Sequence, residues 1–227
     1  MAANRYPAIA VMVTGMVLAG CAGSMQTAHQ SRAAQGDLYA ADGEQPADIY
    51  RSWYLFNELA GYGSVEGELR IADLKRWDRD EYRSAYYWYR KAAASGEGIA
   101  AANLWYLYET RSESPGDNQQ AMGYYQEAAG SDAGLRQLYA LETKVAIDSQ
   151  RHYPAAAARE QGTAVIEFER SPEGKASEVK VYRTSGNPDL DNAALEAVRN
   201  AELPAIPSGL DGVHHFIISV KISPDIS

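Results

Sequence analysis

Residues 162–200 read GTAVIEFERSPEGKASEVKVYRTSGNPDLDNAALEAVRN, and this stretch determines the fold of the C-terminal part of the chain. Its opening segment alternates apolar and polar residues, which predicts a strand with one apolar face formed by Ala164, Ile166 and Phe168. The alternation returns at 177–184, after the turn sequence Ser-Pro-Glu-Gly-Lys, in which Gly174 is free to take a positive φ. The pattern predicts two consecutive strands joined by a short turn.

A helix and a third strand follow. Asn187 is the predicted N-cap, with Pro188 in the first helical position, and the apolar residues then recur at the helical period: Leu190, Ala193, Ala194, Ala197 and Val198. Residues 214–222, HHFIISVKI, alternate again and predict the third strand. The order β-β-α-β predicts a small antiparallel sheet with one covering helix, over residues 150–227.

Residues 49–149 have a different composition, with all four tryptophans, most of the tyrosines, many Ala and Leu and few Val or Ile. This composition favours helices, and we expect most of the aromatic side chains to fill the space between them. A self-comparison finds the pattern Ala85, Tyr89, Ala92, Ala93 again 36 residues later, as Ala121, Tyr125, Ala128, Ala129. Periods of this size indicate helical-hairpin repeats, so the predicted fold class is α+β.

The amino-acid sequence of the repeat resembles that of a known family. Residues 87–93, YWYRKAA, are followed by Gly96, and the second copy reads YYQEAAG at 124–130. These segments resemble Sel-one-like repeats of the tetratricopeptide class. The resemblance implies an adaptor that holds other proteins or peptides.

The N-terminal residues predict a secretion signal. The run Pro7 to Gly20 is apolar but shorter than the roughly 20 residues that a membrane-spanning helix needs. It ends Leu-Ala-Gly-Cys at 18–21, which resembles the lipobox of bacterial lipoproteins. The resemblance implies cleavage between Gly20 and Cys21, a diacylglycerol on the Cys21 sulfur, and acylation of the new amino group, with palmitate the expected acyl group. The alternative is an ordinary secreted protein whose cysteine lies there by chance.

The segment after Cys21 predicts the attachment of the protein to its membrane. Residues 21–48 are rich in Ala, Gln, Ser, Gly and Asp, which is typical of a flexible tether between the signal peptide, 1–20, and the folded body. The lipoprotein resemblance, with Ala rather than Asp at position 22, implies the periplasmic face of the outer membrane rather than the inner membrane.

Charge and motif content exclude several functions. The chain has 21 basic and 30 acidic residues, for a formal net charge of -9, which disfavours binding to a nucleic-acid backbone. His214 and His215 are adjacent on a predicted strand and so point to opposite faces, a poor arrangement for one metal ion. We find no zinc spacing, nucleophile elbow or metalloprotease pair. The sequence predicts no enzyme, no metal and no cofactor.

A second resemblance covers about residues 150–222. The motifs are Tyr-Pro at 153–154, Gly162 opening the first strand, Glu-Gly-Lys at 173–175, Ser-Gly at 185–186, the helix residues Leu-Asp at 190–191 and Ala-Ala-Leu at 193–195, and Leu-Pro at 203–204. Together they resemble the C-terminal domain of TonB, the energy transducer of outer-membrane uptake. In that family an extended segment of a transporter, the TonB box, lies alongside the last strand and extends the sheet.

The TonB resemblance implies where a partner would bind. The binding edge is the last strand, by β-augmentation, and the side chains that face outward there are His215, Ile217, Ser219 and Lys221. The alternative is that this edge is covered by a dimer contact or by the chain's own tail, residues 223–227. We expect the protein partner to contribute an extended peptide segment, such as a TonB box. We also expect the lipid to attach the protein to a membrane.

The chain also departs from the TonB pattern. It contains only 9 prolines, so it lacks the long Pro-rich spacer, and its apolar run is predicted to be cleaved rather than to engage an inner-membrane motor. We therefore expect a lipid-anchored periplasmic adaptor that pairs its last strand with a partner and holds a second partner on its helical repeats. The alternative is a transport component that takes part in uptake through a TonB-dependent outer-membrane transporter.

Overall fold

The computed structural model describes residues 46–75, 82–111, 117–170, 174–210 and 215–224. The predicted lipidation and cleavage residues, Gly20 and Cys21, lie outside these ranges, as does the predicted tether up to residue 45. Within the described ranges, no helix combines the length and the apolar character that crossing a membrane requires.

The first part of the described chain is helical, as the composition predicts. Six α-helices follow one another: α1 Pro46–Gly61, α2 Val65–Lys75, α3 Tyr82–Ala93, α4 Gly98–Arg111, α5 Asp117–Ala129 and α6 Asp132–Asp148. Each of the first four packs against the next one along the chain. The structure divides into two compact units, one ending at Gly134 and the other beginning at Leu135, so that α6 runs from the first unit into the second.

Small residues and polar ties hold the helices of the first unit together. Ala85, Tyr89 and Ala92 of α3 are fully buried, which lets neighbouring helices approach closely. The Lys91 ammonium lies 2.7 Å from the buried Glu68 carboxylate of α2. The Tyr89 hydroxyl donates to Asp73, also of α2, at 2.6 Å. These contacts fix α3 on α2.

The two predicted repeat copies are not equivalent in burial. Ala93 of α3 is buried, whereas Ala129, its counterpart in α5, is exposed. Tyr89 is fully buried, whereas Tyr125 is partly exposed. The helical character of this region is confirmed, and the assignment to a repeat family stays a prediction.

Helix α1 carries an exposed aromatic face that differs from the expected interior packing. Tyr50, Trp53 and Tyr54 are 74%, 42% and 66% exposed. Their spacing of three and four residues places them on one side of the helix. The opposite side buries Phe56 and Leu59. We call Tyr50, Trp53 and Tyr54 the aromatic face of α1.

The second unit contains the predicted β-β-α-β arrangement. Its elements after α6 are a single 3-10 turn Ala155–Ala157, strand β1 Gly162–Arg170, strand β2 Ala176–Arg183, helix α7 Pro188–Asn200 and strand β3 His215–Ile222. The sheet is antiparallel with strand order β2-β1-β3. The predicted fold class is therefore confirmed, with β1 in the centre and β2 and β3 on either side.

Local sequence explains each of these elements. The Asn187 side chain accepts hydrogen bonds from the backbone N–H groups of Asp189 at 2.8 Å and Leu190 at 3.4 Å, which confirms the predicted N-cap of α7. Gly174 takes φ +83° in the turn between β1 and β2, a conformation that a side chain would strain.

One face of the sheet is covered, and this is where the core of the second unit lies. The side chains of β1 that alternation predicts to be apolar are fully buried there, together with the apolar side of α7: Ala164, Ile166, Phe168, Leu190, Ala193, Ala194, Ala197 and Val198. Helix α6 also packs against this face of the sheet. Ile147 joins this core, and the Tyr139 ring contacts the Phe216 ring of β3 with a centroid separation of 5.7 Å.

Candidate functional site: the outer edge of strand β3

Strand β3 is the predicted partner-binding element, and the structure places it at one edge of the sheet. His215, Ile217, Ser219 and Lys221 share the open face, opposite the covered core. Ile217 is 47% exposed. His215 and Lys221 are exposed, and Ser219 is half-buried.

The register shows which backbone groups of β3 face away from the sheet. Glu167 pairs with Ile217, and Ile166 pairs with Ile218. In an antiparallel pair, successive residues direct their N–H and C=O groups alternately toward the partner strand and away from it. The Ser219 and Lys221 carbonyl oxygens accept hydrogen bonds from outside the sheet, so the odd-numbered residues of β3 face outward.

Strand β1 supports the same assignment from the other side. The Glu169 carbonyl oxygen accepts a hydrogen bond from the Ser177 hydroxyl of β2 at 3.2 Å, so this odd-numbered residue of β1 faces β2. Even-numbered residues of β1 then face β3, which requires the even-numbered residues of β3 to face β1. His215 and Ile217 consequently direct their N–H and C=O groups outward.

Two cations of the same unit contact this outer edge. The Lys144 ammonium, on α6, donates to the Ser219 carbonyl oxygen at 3.4 Å. The Arg151 guanidinium, just after α6, donates to the Lys221 carbonyl oxygen at 2.7 Å. The C-terminal half of the edge therefore has two of its outward carbonyl groups bonded by side chains.

Asp148 holds both cations in place. One of its carboxylate oxygens lies 3.0 Å from the Lys144 ammonium, and the other lies 3.3 Å from Nε of Arg151. Nε of Arg151 also donates to the Asp148 carbonyl oxygen at 3.2 Å. The three side chains are only 15%, 19% and 23% exposed for Lys144, Asp148 and Arg151, so solvent screens their attraction less than it screens a surface pair.

The N-terminal half of β3 is held from the open face. Nε2 of His215 lies 2.8 Å from the Glu167 carboxylate, and the Lys180 ammonium of β2 lies 3.2 Å from the other oxygen of that group. The hydrogen bond to His215, followed by the Lys180 contacts, lowers the pKa of Glu167 despite partial burial. Glu167 thus links all three strands across the open face.

Across the described ranges, no group of three or more His, Cys, Asp or Glu side chains could hold a metal ion. His215, one of the two adjacent histidines, is paired with Glu167, and His214 lies outside the described residues.

Lys144 and Arg151 are the residues that sequence reasoning missed. The spacing of Lys144, Asp148 and Arg151 along the chain is a signal for ion pairs on one side of a helix end. That signal gives no information on their target, because contact with β3 joins residues 70 or more positions apart.

Comparisons with known proteins concern the same unit. Residues 149–223 match the family model described as Gram-negative bacterial TonB protein C-terminal. Protein TonB of Pasteurella multocida (strain Pm70) is 34% identical over 80 residues, which are 34% of this chain and 31% of that relative. The chain thus spans about a third of the length of this curated relative. No solved structure matches. The similarity to the TonB C-terminal family therefore covers residues 149–223.

Proposed function

We propose that this protein is a lipid-anchored adaptor of the Gram-negative cell envelope, whose C-terminal unit binds an extended segment of a partner protein. The segment pairs with the outer edge of β3 and extends the three-stranded sheet. Lipidation at Cys21 holds the protein on the periplasmic face of the outer membrane. The TonB C-terminal match at residues 149–223 supports the envelope location.

One observation carries the binding proposal. β3 is an edge strand whose outward backbone groups at His215 and Ile217 lie beside an exposed apolar side chain, that of Ile217. An edge of this kind is a template for pairing with another strand. Main-chain hydrogen bonds give affinity in such complexes, and the alternating side chains give specificity.

The helical unit holds a second protein partner in this proposal. The aromatic face of α1 supports it, because exposed Tyr and Trp side chains dominate the binding energy of many protein interfaces. Replacing Tyr50 and Tyr54 with Ser should leave the fold intact and remove this second interaction, as measured by recovery of bound proteins.

Photo-crosslinking in cells tests the edge proposal. A photoreactive amino acid at Ile217 should capture a protein, and mass spectrometry of the adduct should place the crosslink in an extended segment of that protein. The matched control is the same amino acid at Tyr182, which is 64% exposed and lies on β2, the opposite strand of the sheet. Equal capture at both positions, or no capture at Ile217 across growth conditions, would contradict edge pairing.

A second candidate function is transport. The similarity to protein TonB favours participation in energy-coupled uptake through a TonB-dependent outer-membrane transporter. Deletion of the gene should then abolish uptake of labelled ferric complexes or vitamin, and the wild-type gene should restore it. Unchanged uptake, together with no affinity for TonB-box peptides, would leave the adaptor as the remaining function.

A further inference from the structure

Strand β3 has two halves that differ in what covers their outer edge. At Ser219 and Lys221 the outward carbonyl oxygens accept hydrogen bonds from Lys144 and Arg151. At Ile217 the side chain is 47% exposed, and His215 is exposed as well. The two halves of one edge are thus unequal as binding templates.

The cations are positioned to stay on the edge. Asp148 contacts both, at 3.0 Å and 3.3 Å, and all three side chains are mostly buried. If either cation moved away from β3, one carbonyl group of the strand would lose its hydrogen-bond donor. The Asp148 carboxylate would also become more exposed to solvent. Charged side chains that cover an edge strand are a known protection against unwanted strand pairing.

We propose that Lys144, Asp148 and Arg151 form an edge latch, which closes the C-terminal half of β3 and confines partner pairing to His215 and Ile217. This inference rests on the proposed function, because it specifies which part of the edge a partner strand reaches. A segment that pairs along the whole of β3 must displace both cations from their carbonyl groups. The latch therefore determines the length of strand that the unit accepts.

The latch also limits how this edge could pair with the same edge of a second copy of the chain. β3 is eight residues long, and an open edge of that length is a template for pairing with another strand, including the same edge of a second copy. Closing the C-terminal half restricts such an intermolecular ladder to the outward groups of His215 and Ile217. A short extended segment that supplies side-chain contacts at Ile217 is still accepted.

Peptide binding to the full chain tests the latch. The probe is a fluorescent peptide with the sequence of residues 215–222, HFIISVKI, and the readout is fluorescence anisotropy. The test protein carries Lys144→Met and Arg151→Met, because Met keeps the apolar contacts of both stems and removes the donors. Each of the two released carbonyl groups can accept one hydrogen bond from the peptide, so the double variant should bind the peptide roughly 5- to 150-fold more tightly than the unmodified chain.

Two further variants control for charge and for conservative replacement. Arg199→Met removes an exposed cation at the end of α7 and should leave the affinity unchanged. Lys144→Arg keeps a donor and a positive charge, so it should bind the peptide as weakly as the unmodified chain. Each single Met variant should show an intermediate affinity, which keeps the test usable if the double variant is unstable.

The outcomes separate the latch from the proposed function. Tighter binding in the latch variants, but not in Arg199→Met, supports the latch. Equal and measurable binding by all variants overturns the latch and leaves edge pairing in place. No binding by any variant, together with no capture by the photoreactive amino acid at Ile217, overturns both.

Discussion

Proline substitution at two adjacent positions of β3 tests the direction of its backbone groups. The N–H group of Ile217 faces outward, so Ile217→Pro removes no hydrogen bond between β1 and β3. The N–H group of Ile218 faces β1, where Ile218 pairs with Ile166. Ile218→Pro therefore breaks the ladder beside the central strand. The two variants should differ in stability although they are neighbours.

The magnitudes follow from exposure and from the lost hydrogen bond. Ile217 is 47% exposed, so its replacement forfeits about half of the 1.5–3 kcal/mol of a fully buried aliphatic side chain, or about 1 kcal/mol. Ile218→Pro leaves a carbonyl group of β1 without its donor, which costs about 1–3 kcal/mol, and it also alters a side chain that packs against the core of the second unit. The free energy of unfolding should fall by about 1–3 kcal/mol more at 218 than at 217.

The assay must report on the second unit by itself. All four tryptophans precede Leu135, so their fluorescence follows the other unit. Amide hydrogen exchange across a urea series, measured by mass spectrometry on peptides from β1 and β3, gives the free energy for the sheet. Ile217→Pro should also abolish capture of the partner by a photoreactive amino acid placed at His215, which is exposed on the same strand. An equal loss of stability at both positions, or a greater loss at 217, would refute the assigned direction of the backbone.

Three other predictions concern the cap, the open face and the anchor. Asn187→Ala should lower the free energy of unfolding of the second unit by about 1 kcal/mol, whereas Asn192→Ala, exposed within α7, should be neutral or slightly stabilising; urea denaturation followed by hydrogen exchange checks both. The pKa of Glu167 is lowered on folding, chiefly by its hydrogen bond to His215, so Glu167 stabilises the folded state above its usual pKa of about 4.3. This stabilisation is lost as pH falls through the lower folded-state pKa, and Glu167→Gln should flatten that part of the pH profile. Labelled palmitate should be incorporated by the unmodified chain and not by a Cys21→Ser variant.

Local sequence was sufficient for the elements of the second unit. Alternation places Ile166 and Phe168 on the covered face, and both are fully buried. The side chain of Asn187 and the freedom of Gly174 act within a few residues, so their roles can be read without tertiary information. The family resemblance predicted that β3 lies at the edge of the sheet, and this agrees with the observed strand order.

The site itself depends on contacts that local patterns do not encode. Lys144 lies in a stretch whose composition predicts a helix of the first region, yet it bonds the carbonyl oxygen of Ser219. The link between Glu167 and His215 is diagonal across two strands, so it requires the exact register. Composition also predicted interior positions for the aromatic side chains, but Tyr50 and Tyr54 are exposed because they lie on the side of α1 opposite Phe56.

The most direct measurement of edge pairing is the protection of individual backbone amides when a partner binds. The segment captured at Ile217 is synthesised as a peptide, and amide exchange of the full chain is followed by NMR with and without it. The amide of Ile217, which faces outward, should become protected, while that of Ile218, which faces β1, should be unchanged. Protection on β2 or in the helical unit, with no change at Ile217, would contradict the account.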